Sequence, residues 1–218
     1  MADNYLEKRY EEIFGKGASA RKSFPSKPSL DNLLLRNRSY RGYDNSYAVH
    51  SIQLEAIVSV NVRVASSVNL QRLRFRMVTA GAEAEVVNAH IRMGRALPEL
   101  HLPLAGTEPQ AFIIVCSTVP ENASIDIDLG ISLQSMGLKA VELGLGCLII
   151  RNFDRDEIKC GLSLPYDPIA VLAVGKPAEK IELVSVREGE PLDYYRRDGV
   201  HYVPKITVED LVIRKPLP

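Results

Sequence analysis

The chain has 218 residues, of which 46% are hydrophobic and 25% are charged, and its formal net charge is +0 at pH 7. This composition favours a single ordinary globular domain, and the balanced charge gives no general attraction for nucleic acid or for an anionic membrane surface. The charged start lacks a signal-peptide core, and no apolar run is long enough to span a bilayer. The three cysteines form no CxxC pair, so we interpret them as buried thiols and predict a cytoplasmic protein without nucleic-acid or membrane partners.

The first 29 residues are predicted to form a helix and a connector that precede the main domain. Apolar residues between Tyr5 and Phe14 recur at the spacing of one helix face, which predicts a helix within residues 4–20. The segment over residues 22–29 (KSFPSKPS) contains two prolines and three serines, a composition typical of an extended connector. We therefore divide the chain into residues 1–29 and a domain over residues 30–218.

Residues 30–117 are predicted to contain three helices and two strands. The helices show apolar residues at three- and four-residue spacing. The first strand alternates in polarity, whereas the second is a continuous apolar run typical of a central strand. The predicted elements are a short helix near Leu30–Leu34, helices over His50–Val64 and Glu83–Leu97, strands over Leu73–Val78 and Ala111–Ser117, and an irregular proline-containing loop over residues 98–110.

The stretch from Asp126 to Ile150 is predicted to be the centre of the fold. Apolar residues cover most of its helical surface, so we expect a helix that is buried on most sides. We expect Asp126 or Asp128 to cap the start of this helix and Gly144 to end it in the left-handed conformation. A buried strand over Cys147–Ile150 is predicted to follow.

The last part of the chain is predicted to add a helix, a buried strand and a hairpin. The helix begins at Asp154, and the strand covers Ile169–Val174. Asp198-Gly199, between two short runs rich in tyrosine and valine, is a strong hairpin turn signal. The tail over residues 204–218 is too apolar to be free and has no core of its own. We therefore predict that it packs across a second copy of the chain.

The sequence lacks the motifs of several common enzyme classes. Its four histidines are scattered without metal-ligand spacing, and it contains neither a GxSxG elbow nor a GxxxxGK[ST] loop. The Gly144–Gly146 pair follows a helix and precedes a strand, which is the reverse of the dinucleotide-binding order. Any enzymatic activity is therefore predicted to depend on the chemistry of a bound cofactor.

Two polar segments are candidates for ligand binding. Arg36, Arg38 and Arg41, with Ser39 between them, suit an anion because guanidinium groups match phosphate oxygens two at a time. A solvated basic loop is the alternative. The loop over residues 66–71 contains hydroxyl and amide side chains that could bind the edge of a planar heterocycle, although an ordinary helix-to-strand loop explains the same composition.

Five segments in this order resemble the FMN-dependent nitroreductase family: RNRSYRGYD, RVASSVNLQRLRF, AFIIVCS, DLGISLQSMGLKAVELGLGCLIIRNF and AVLAVGKP. The resemblance extends from about Leu33 to the C-terminus. It implies an α+β fold, with a mixed, mainly antiparallel sheet flanked by helices. It also implies an intertwined homodimer, in which FMN binds at the interface and the C-terminal tail reaches across the partner.

The resemblance also assigns nine residues to cofactor binding. One group would hold the FMN phosphate and ribityl chain, a second would approach the flavin from a loop whose serine comes from the other subunit, a third would pass the flavin ring, and one lysine would complete the phosphate site. These groups are, in that order, Arg38, Ser39 and Arg41; Ser67, Asn69 and Gln71; Ile150 and Arg151; and Lys205.

The function implied is an oxidoreductase that passes hydride from NADH or NADPH to a small-molecule oxidant, such as a nitroaromatic or a quinone, by a ping-pong mechanism. The flavin N5 would carry the chemistry, so no side chain is an obligatory acid or base and no metal is needed. The physiological acceptor and the choice between NADH and NADPH stay open.

The chain departs from the family pattern at three positions near the predicted cofactor. Asn37 replaces the first arginine of the basic segment, with Arg36 adjacent. Arg151 stands where glycine is common, and Thr207 falls where a further basic residue is often found. These departures leave two alternatives: a flavin-binding redox sensor or reservoir with little turnover, and a dimeric scaffold that has lost the cofactor.

Overall fold

The computed structural model of the chain describes residues 28–94 and 102–214. The helix predicted within residues 4–20, most of the connector over residues 22–29 and the end of the C-terminal tail lie outside these ranges. The division of the chain after residue 29 therefore stays a prediction. The predicted loop is irregular over residues 102–110, as expected.

The described residues form six α-helices and seven β-strands. The helices are α1 Leu30–Arg36, α2 Ser51–Val58, α3 Ala82–His90, α4 Ala123–Glu142, α5 Arg155–Gly161 and α6 Val208–Leu211. The strands are β1 Leu73–Val78, β2 Ala111–Ser117, β3 Gly146–Ile150, β4 Asp167–Gly175, β5 Lys180–Val186, β6 Tyr195–Arg197 and β7 Val200–Ile206.

The larger sheet has the strand order β1-β2-β4-β3, and each neighbouring pair is antiparallel. All residues of β2 are buried, which confirms that its continuous apolar run is a central strand. Successive side chains of a strand point to opposite faces. Ile113 and Leu172 accordingly pack with α2 and α4, whereas Ile114 and Val171 pack with α3 and α5. Helices therefore cover both faces of this sheet.

The smaller sheet has the order β5-β7-β6, with β5 parallel to β7 and β6 antiparallel to it. Asp198 and Gly199 join β6 to β7 with φ angles of 52° and 75°. A two-residue hairpin loop with a type I′ turn requires positive φ at both central residues, so the predicted hairpin is confirmed. One parallel pair among otherwise antiparallel pairs confirms the α+β fold with a mixed, mainly antiparallel arrangement.

The N-cap of the central helix α4 precedes both residues that were predicted to cap it. Asn122 is the N-cap, and its side chain accepts hydrogen bonds from the backbone N–H groups of Ser124 and Ile125. The prediction that Asp126 or Asp128 caps the helix is therefore wrong; both lie within it, and Asp128 is buried. The predicted end is confirmed, because Gly144 follows the helix with φ 75°.

Two other helices are shorter than their apolar periodicity predicts. The helix over His50–Val64 is α-helical only to Val58 and continues as a 3₁₀ turn, Ser59–Val62. In that turn the Asn61 side chain donates a hydrogen bond to the Val58 carbonyl, 2.9 Å away. Helix α3 ends at His90, not at residue 97, because Ile91 becomes extended and forms a β-bridge with Phe153. Tertiary pairing thus ends this helix early.

The cysteines differ in their exposure. Cys116 and Cys147 are buried, and burial raises the pKa of their thiols to about 11 and about 12. Cys160 is exposed, so the prediction of three buried thiols is wrong for this residue. It lies on α5, which buries Ile158, and positions two residues apart on a helix face nearly opposite sides.

Over residues 28–94 and 102–214, no helix has both the length and the apolar character needed to cross a membrane. The same residues contain no group of three or more His, Cys, Asp or Glu side chains that could hold a metal ion.

Candidate functional site

Four of the nine predicted site residues line one cavity of about 290 Å³, which we call the basic cavity. It lies between the segment that follows α1 and one face of the smaller sheet. Residues 201, 203 and 205 of β7 all line it, as expected for alternate residues of one strand. The lining residues are Asn37, Arg38, Ser39, Arg41, Ile181, Tyr194, His201, Val203 and Lys205.

The segment that follows α1 is held against the main sheet by backbone contacts. Ser39 forms a parallel bridge with Cys147 of β3, and the Tyr40 N–H donates to the Cys147 carbonyl over 3.1 Å. The backbone at Gly146 approaches the Tyr40 ring so closely that a Cβ there would lie 2.4 Å from it. Gly146 therefore allows the basic segment to lie against β3, since any side chain at this position would displace that segment.

Arg38 presents an unused hydrogen-bond donor. Its Nη2 donates to the Leu34 carbonyl over 2.5 Å, but its Nε is buried and has no partner within residues 28–94 and 102–214. Burial is also the main cause that lowers the pKa of this guanidinium. Buried donors in proteins are almost always paired. An unpaired one in the wall of a basic cavity therefore indicates a place for an acceptor from a ligand.

Arg41 is fixed by a carboxylate that the sequence did not single out. Glu179 accepts hydrogen bonds from the backbone N–H groups of Arg41 and Gly42, and it also forms an ion pair with Arg196. The Arg41 guanidinium donates to the Ser39 carbonyl over 3.1 Å and lies over the Tyr194 ring. Among the described residues, no carboxylate pairs with this guanidinium, so its charge is available to a ligand.

A second cavity, of about 610 Å³, adjoins the basic cavity and is here called the adjoining cavity. Both cavities share Arg41 and Tyr194 as lining residues. The predicted residues Ile150 and Arg151 line the adjoining cavity at the end of β3. The side chain of Ile150 belongs to the core, whereas the neighbouring Ile149 is 47% exposed. The remaining lining residues are Arg92, Met93, Gly94, Leu148, Ile149 and Asn152.

Arg151 is engaged by two carboxylates. It pairs with Glu121 over 2.7 Å and with Asp126 over 3.0 Å, and Arg155 pairs with the same Glu121 over 2.5 Å. The Arg151 side chain is 45% exposed, so these pairs contribute little to stability. Their effect is to hold the Arg151 side chain in place and to balance its charge.

The loop that contains Ser67, Asn69 and Gln71 does not line either of these cavities. Ser67 donates to Asp128 from its backbone N–H and from its hydroxyl, over 2.7 and 2.8 Å. Val68 has φ 50°, and Asn69 and Gln71 also have positive φ. A positive φ is unfavourable for a β-branched residue such as Val68. The Val68 side chain is 90% exposed, so burial of this side chain within the subunit does not offset the unfavourable backbone conformation. One subunit thus does not bring all nine predicted residues together.

Comparison with known proteins gives the family. A sequence model described as the nitroreductase family matches residues 34–176, which is more than half of the chain. The chain belongs to the nitroreductase family. The matched range ends before β5, so the Arg38–Arg41 segment lies within it, whereas the β7 wall of the basic cavity lies beyond it. No curated protein shows significant sequence similarity to the chain.

Solved structures share the fold at low identity. A nitroreductase family protein from Streptococcus pneumoniae is 14% identical, with a TM-score of 0.59 over 76% of this chain and 97% of that one. One from Clostridium novyi is 18% identical, with a TM-score of 0.57 over 69% and 86% of the two chains. An FMN-dependent nitroreductase from Clostridium difficile is 21% identical, with a TM-score of 0.53 over 68% and 87%.

Sequence reasoning missed several residues of the two cavities. Glu179 carried no motif, and its role depends on a hydrogen bond to a segment more than a hundred residues away. Tyr194 and Arg92 likewise reach the site only through the tertiary fold. A signal did exist for His201, because it alternates with Lys205 along an extended run and therefore shares its face.

Proposed function

We propose that the protein is an FMN-dependent oxidoreductase that passes hydride from NADH or NADPH to a small oxidant such as a nitroaromatic or a quinone, and that it acts as a homodimer. The observation that carries this proposal is the basic cavity. Arg38, Ser39 and Arg41 line this cavity together with Lys205, which is far from them in the sequence. A larger cavity lies beside it at the end of β3. Family membership supports the same assignment.

The residues of the basic cavity fit a phosphate group. Among the described residues, Arg38, Arg41 and Lys205 have no carboxylate partner, and the buried Arg38 Nε has no acceptor. Three uncompensated cations and an orphaned N–H favour a dianion with several oxygens. Ser39 adds an exposed hydroxyl that can bond to a ribityl chain. Asn37 occupies the position of the first arginine in the family pattern. Arg36 does not line the cavity, so it does not take over the role of that arginine.

When bound, FMN would supply the hydride-accepting ring that the side chains do not provide. The task of the chain would be electrostatic. Arg41 borders both cavities, so its fixed guanidinium can stabilise negative charge that develops on a ligand spanning them. Glu179 holds the backbone of Arg41, and Tyr194 packs against its guanidinium, so this charge is oriented before a ligand binds.

The homodimer is supported by the exposed apolar surface. Val62, Val68 and Ile127 are 79%, 90% and 60% exposed, and they lie on or near the loop of Ser67 and the start of α4. These residues lie on elements that are in contact with one another, and an interface between two copies of the chain would bury such exposed apolar side chains. Light scattering should give twice the monomer mass of 24.2 kDa. A monomer at micromolar concentration would contradict the dimer.

The test of the function is the visible spectrum of the purified protein, recorded before and after anaerobic addition of NADH or NADPH. We expect a flavin spectrum that bleaches with at least one donor and returns when a quinone or nitroaromatic is added. Arg38→Ala should lose the flavin, whereas the matched Arg36→Ala, outside the cavity, should retain it. A flavin that no donor reduces would favour the sensor or reservoir, and a protein that cannot be loaded with FMN would refute the proposal.

A further inference from the structure

His201 is a buried polar side chain without a partner. It is 2% exposed, its Nδ1 is buried and unpaired, and neither ring nitrogen has a hydrogen-bond partner among the described residues. Buried imidazole nitrogens are normally bonded to protein or ordered water. His201 lines the basic cavity and also a smaller cavity of about 110 Å³ beside Glu179, so the basic cavity is one place from which a partner can come.

The position of His201 in β7 makes it a rigid part of the cavity wall. Strand β7 pairs with β5 on one side and β6 on the other, so Ile181 and Arg196 are its direct neighbours across the sheet. The Tyr194 ring lies 5.0 Å from the imidazole, measured between ring centroids. The same face of β7 presents Lys205 to the cavity, on the far side of Val203.

The charges around His201 favour a neutral imidazole. Arg41 faces it from the segment after α1, Arg196 from β6 and Lys205 from its own strand, while Arg38 completes the cavity. The facing carboxylate, Glu179, already bonds to Arg196 and to backbone N–H groups. Burial, followed by Arg41 and Arg196, lowers the pKa of His201 to about 4. At neutral pH the ring therefore has one N–H donor and one acceptor nitrogen.

We propose that His201 is a ligand-binding residue of the basic cavity, where its neutral imidazole donates a hydrogen bond to the phosphate group of the bound ligand. A neutral donor suits this place because a further cation would be repelled by the arginines already there, whereas an N–H dipole still stabilises an anion. Nothing in the matched family range covers His201, which lies beyond residue 176. The inference rests on the proposed function only in taking FMN as the ligand.

The test compares dissociation constants for FMN, riboflavin and inorganic phosphate. His201→Phe should weaken FMN binding about ten- to a hundredfold, the effect of losing one hydrogen bond to a charged group. It should change riboflavin binding by less than about threefold, because riboflavin lacks the phosphate. His201→Gln, which keeps an N–H donor, should recover part of the loss. Tyr202→Phe, on the opposite face of β7, is the matched control and should leave FMN binding unchanged.

A role in folding alone would affect both flavins equally, so the ratio of FMN to riboflavin affinity separates binding from structure. The imidazole ¹⁵N resonances of His201 provide a second readout, and they should shift when FMN or inorganic phosphate is added. Unchanged FMN affinity in His201→Phe would overturn the inference while leaving the proposed function intact. If inorganic phosphate shifts these resonances but the protein cannot bind FMN, the inference that His201 binds phosphate would stand and the proposed function would be refuted. Absence of binding to either probe would overturn both.

Discussion

Arg41 and Tyr194 meet where the two cavities join: the guanidinium carbon of Arg41 lies 4.9 Å from the centroid of the Tyr194 ring. Both residues line both cavities. They are more than 150 residues apart in the sequence: Arg41 precedes the first strand of the larger sheet, and Tyr194 follows its last strand. A cation over an aromatic face is attracted by the ring quadrupole, so Tyr194 limits the orientations that the Arg41 charge can adopt.

Replacement of Tyr194 should therefore weaken anion binding without removing any charge. Tyr194→Leu loses an interaction worth about 0.5–2 kcal/mol, and we expect the dissociation constant for FMN to rise severalfold. Tyr195→Leu is the matched control, because Tyr195 stacks on Tyr202 away from both cavities. Fluorescence titration with FMN would measure both variants. Equal effects of the two substitutions would contradict the role of Tyr194.

Glu179 should contribute strongly to stability. Its side chain is 9% exposed and satisfies two backbone N–H groups as well as Arg196. Glu179→Ala leaves these donors and a partly buried charge without a partner, so the free energy of unfolding should fall by about 2–4 kcal/mol. Glu182→Ala breaks an exposed pair with Lys180 and should cost less than about 1 kcal/mol. Urea denaturation would measure both, and similar losses would refute the prediction.

The stability of the protein without ligand should depend on pH through His201. Its folded-state pKa of about 4 is below the ordinary value of 6.5, so between these values the unfolded chain binds a proton that the folded chain does not. Stability should therefore fall as the pH is lowered from about 6.5 toward 4, by at most about 1.4 kcal/mol per pH unit for this site.

His201→Phe should remove this contribution, and the difference between the two stability curves isolates it from the carboxylates that titrate at lower pH. Urea denaturation at several pH values between 4 and 7 is the measurement. Parallel curves for the two proteins would show that His201 is not neutral in the folded state, or that its pKa is not lowered.

Two glycines should respond oppositely to the same substitution. At Gly146 a new Cβ would lie 2.4 Å from the Tyr40 ring and 2.7 Å from Pro177, so Gly146→Ala should destabilise the fold by about 1–3 kcal/mol. It should also displace the basic segment and weaken FMN binding. Gly130 lies on an exposed face of α4 with nothing within 4 Å of a new Cβ. In the absence of a partner subunit, Gly130→Ala should stabilise the helix by about 0.5–1 kcal/mol. Thermal unfolding would compare the two, and a shift of the same sign would contradict the argument.

Most of the strands and helices could be predicted from the sequence, because hydrophobic period and turn chemistry are local properties, whereas strand β5 and helix α6 were not predicted. The apolar run of β2, the alternation of β1 and the Asp198-Gly199 turn each predicted an element that the structure contains. Helix ends were less predictable. Asn122 replaced the expected caps of α4, and α3 ended early because Ile91 pairs with Phe153, a contact that no local pattern encodes.

The candidate site divides in the same way. A local pattern of arginines and a serine predicted that Arg36, Arg38, Ser39 and Arg41 could bind an anion, with a solvated basic loop as the alternative, and a motif resemblance added Lys205. Only the tertiary structure could show that these residues share one cavity with His201, or that Glu179 holds Arg41. The physical reason is that charge pairing, burial and unmet hydrogen bonds depend on distances between residues far apart in the chain. The sequence alone determined which chemical groups are available, and the fold decided which of them meet.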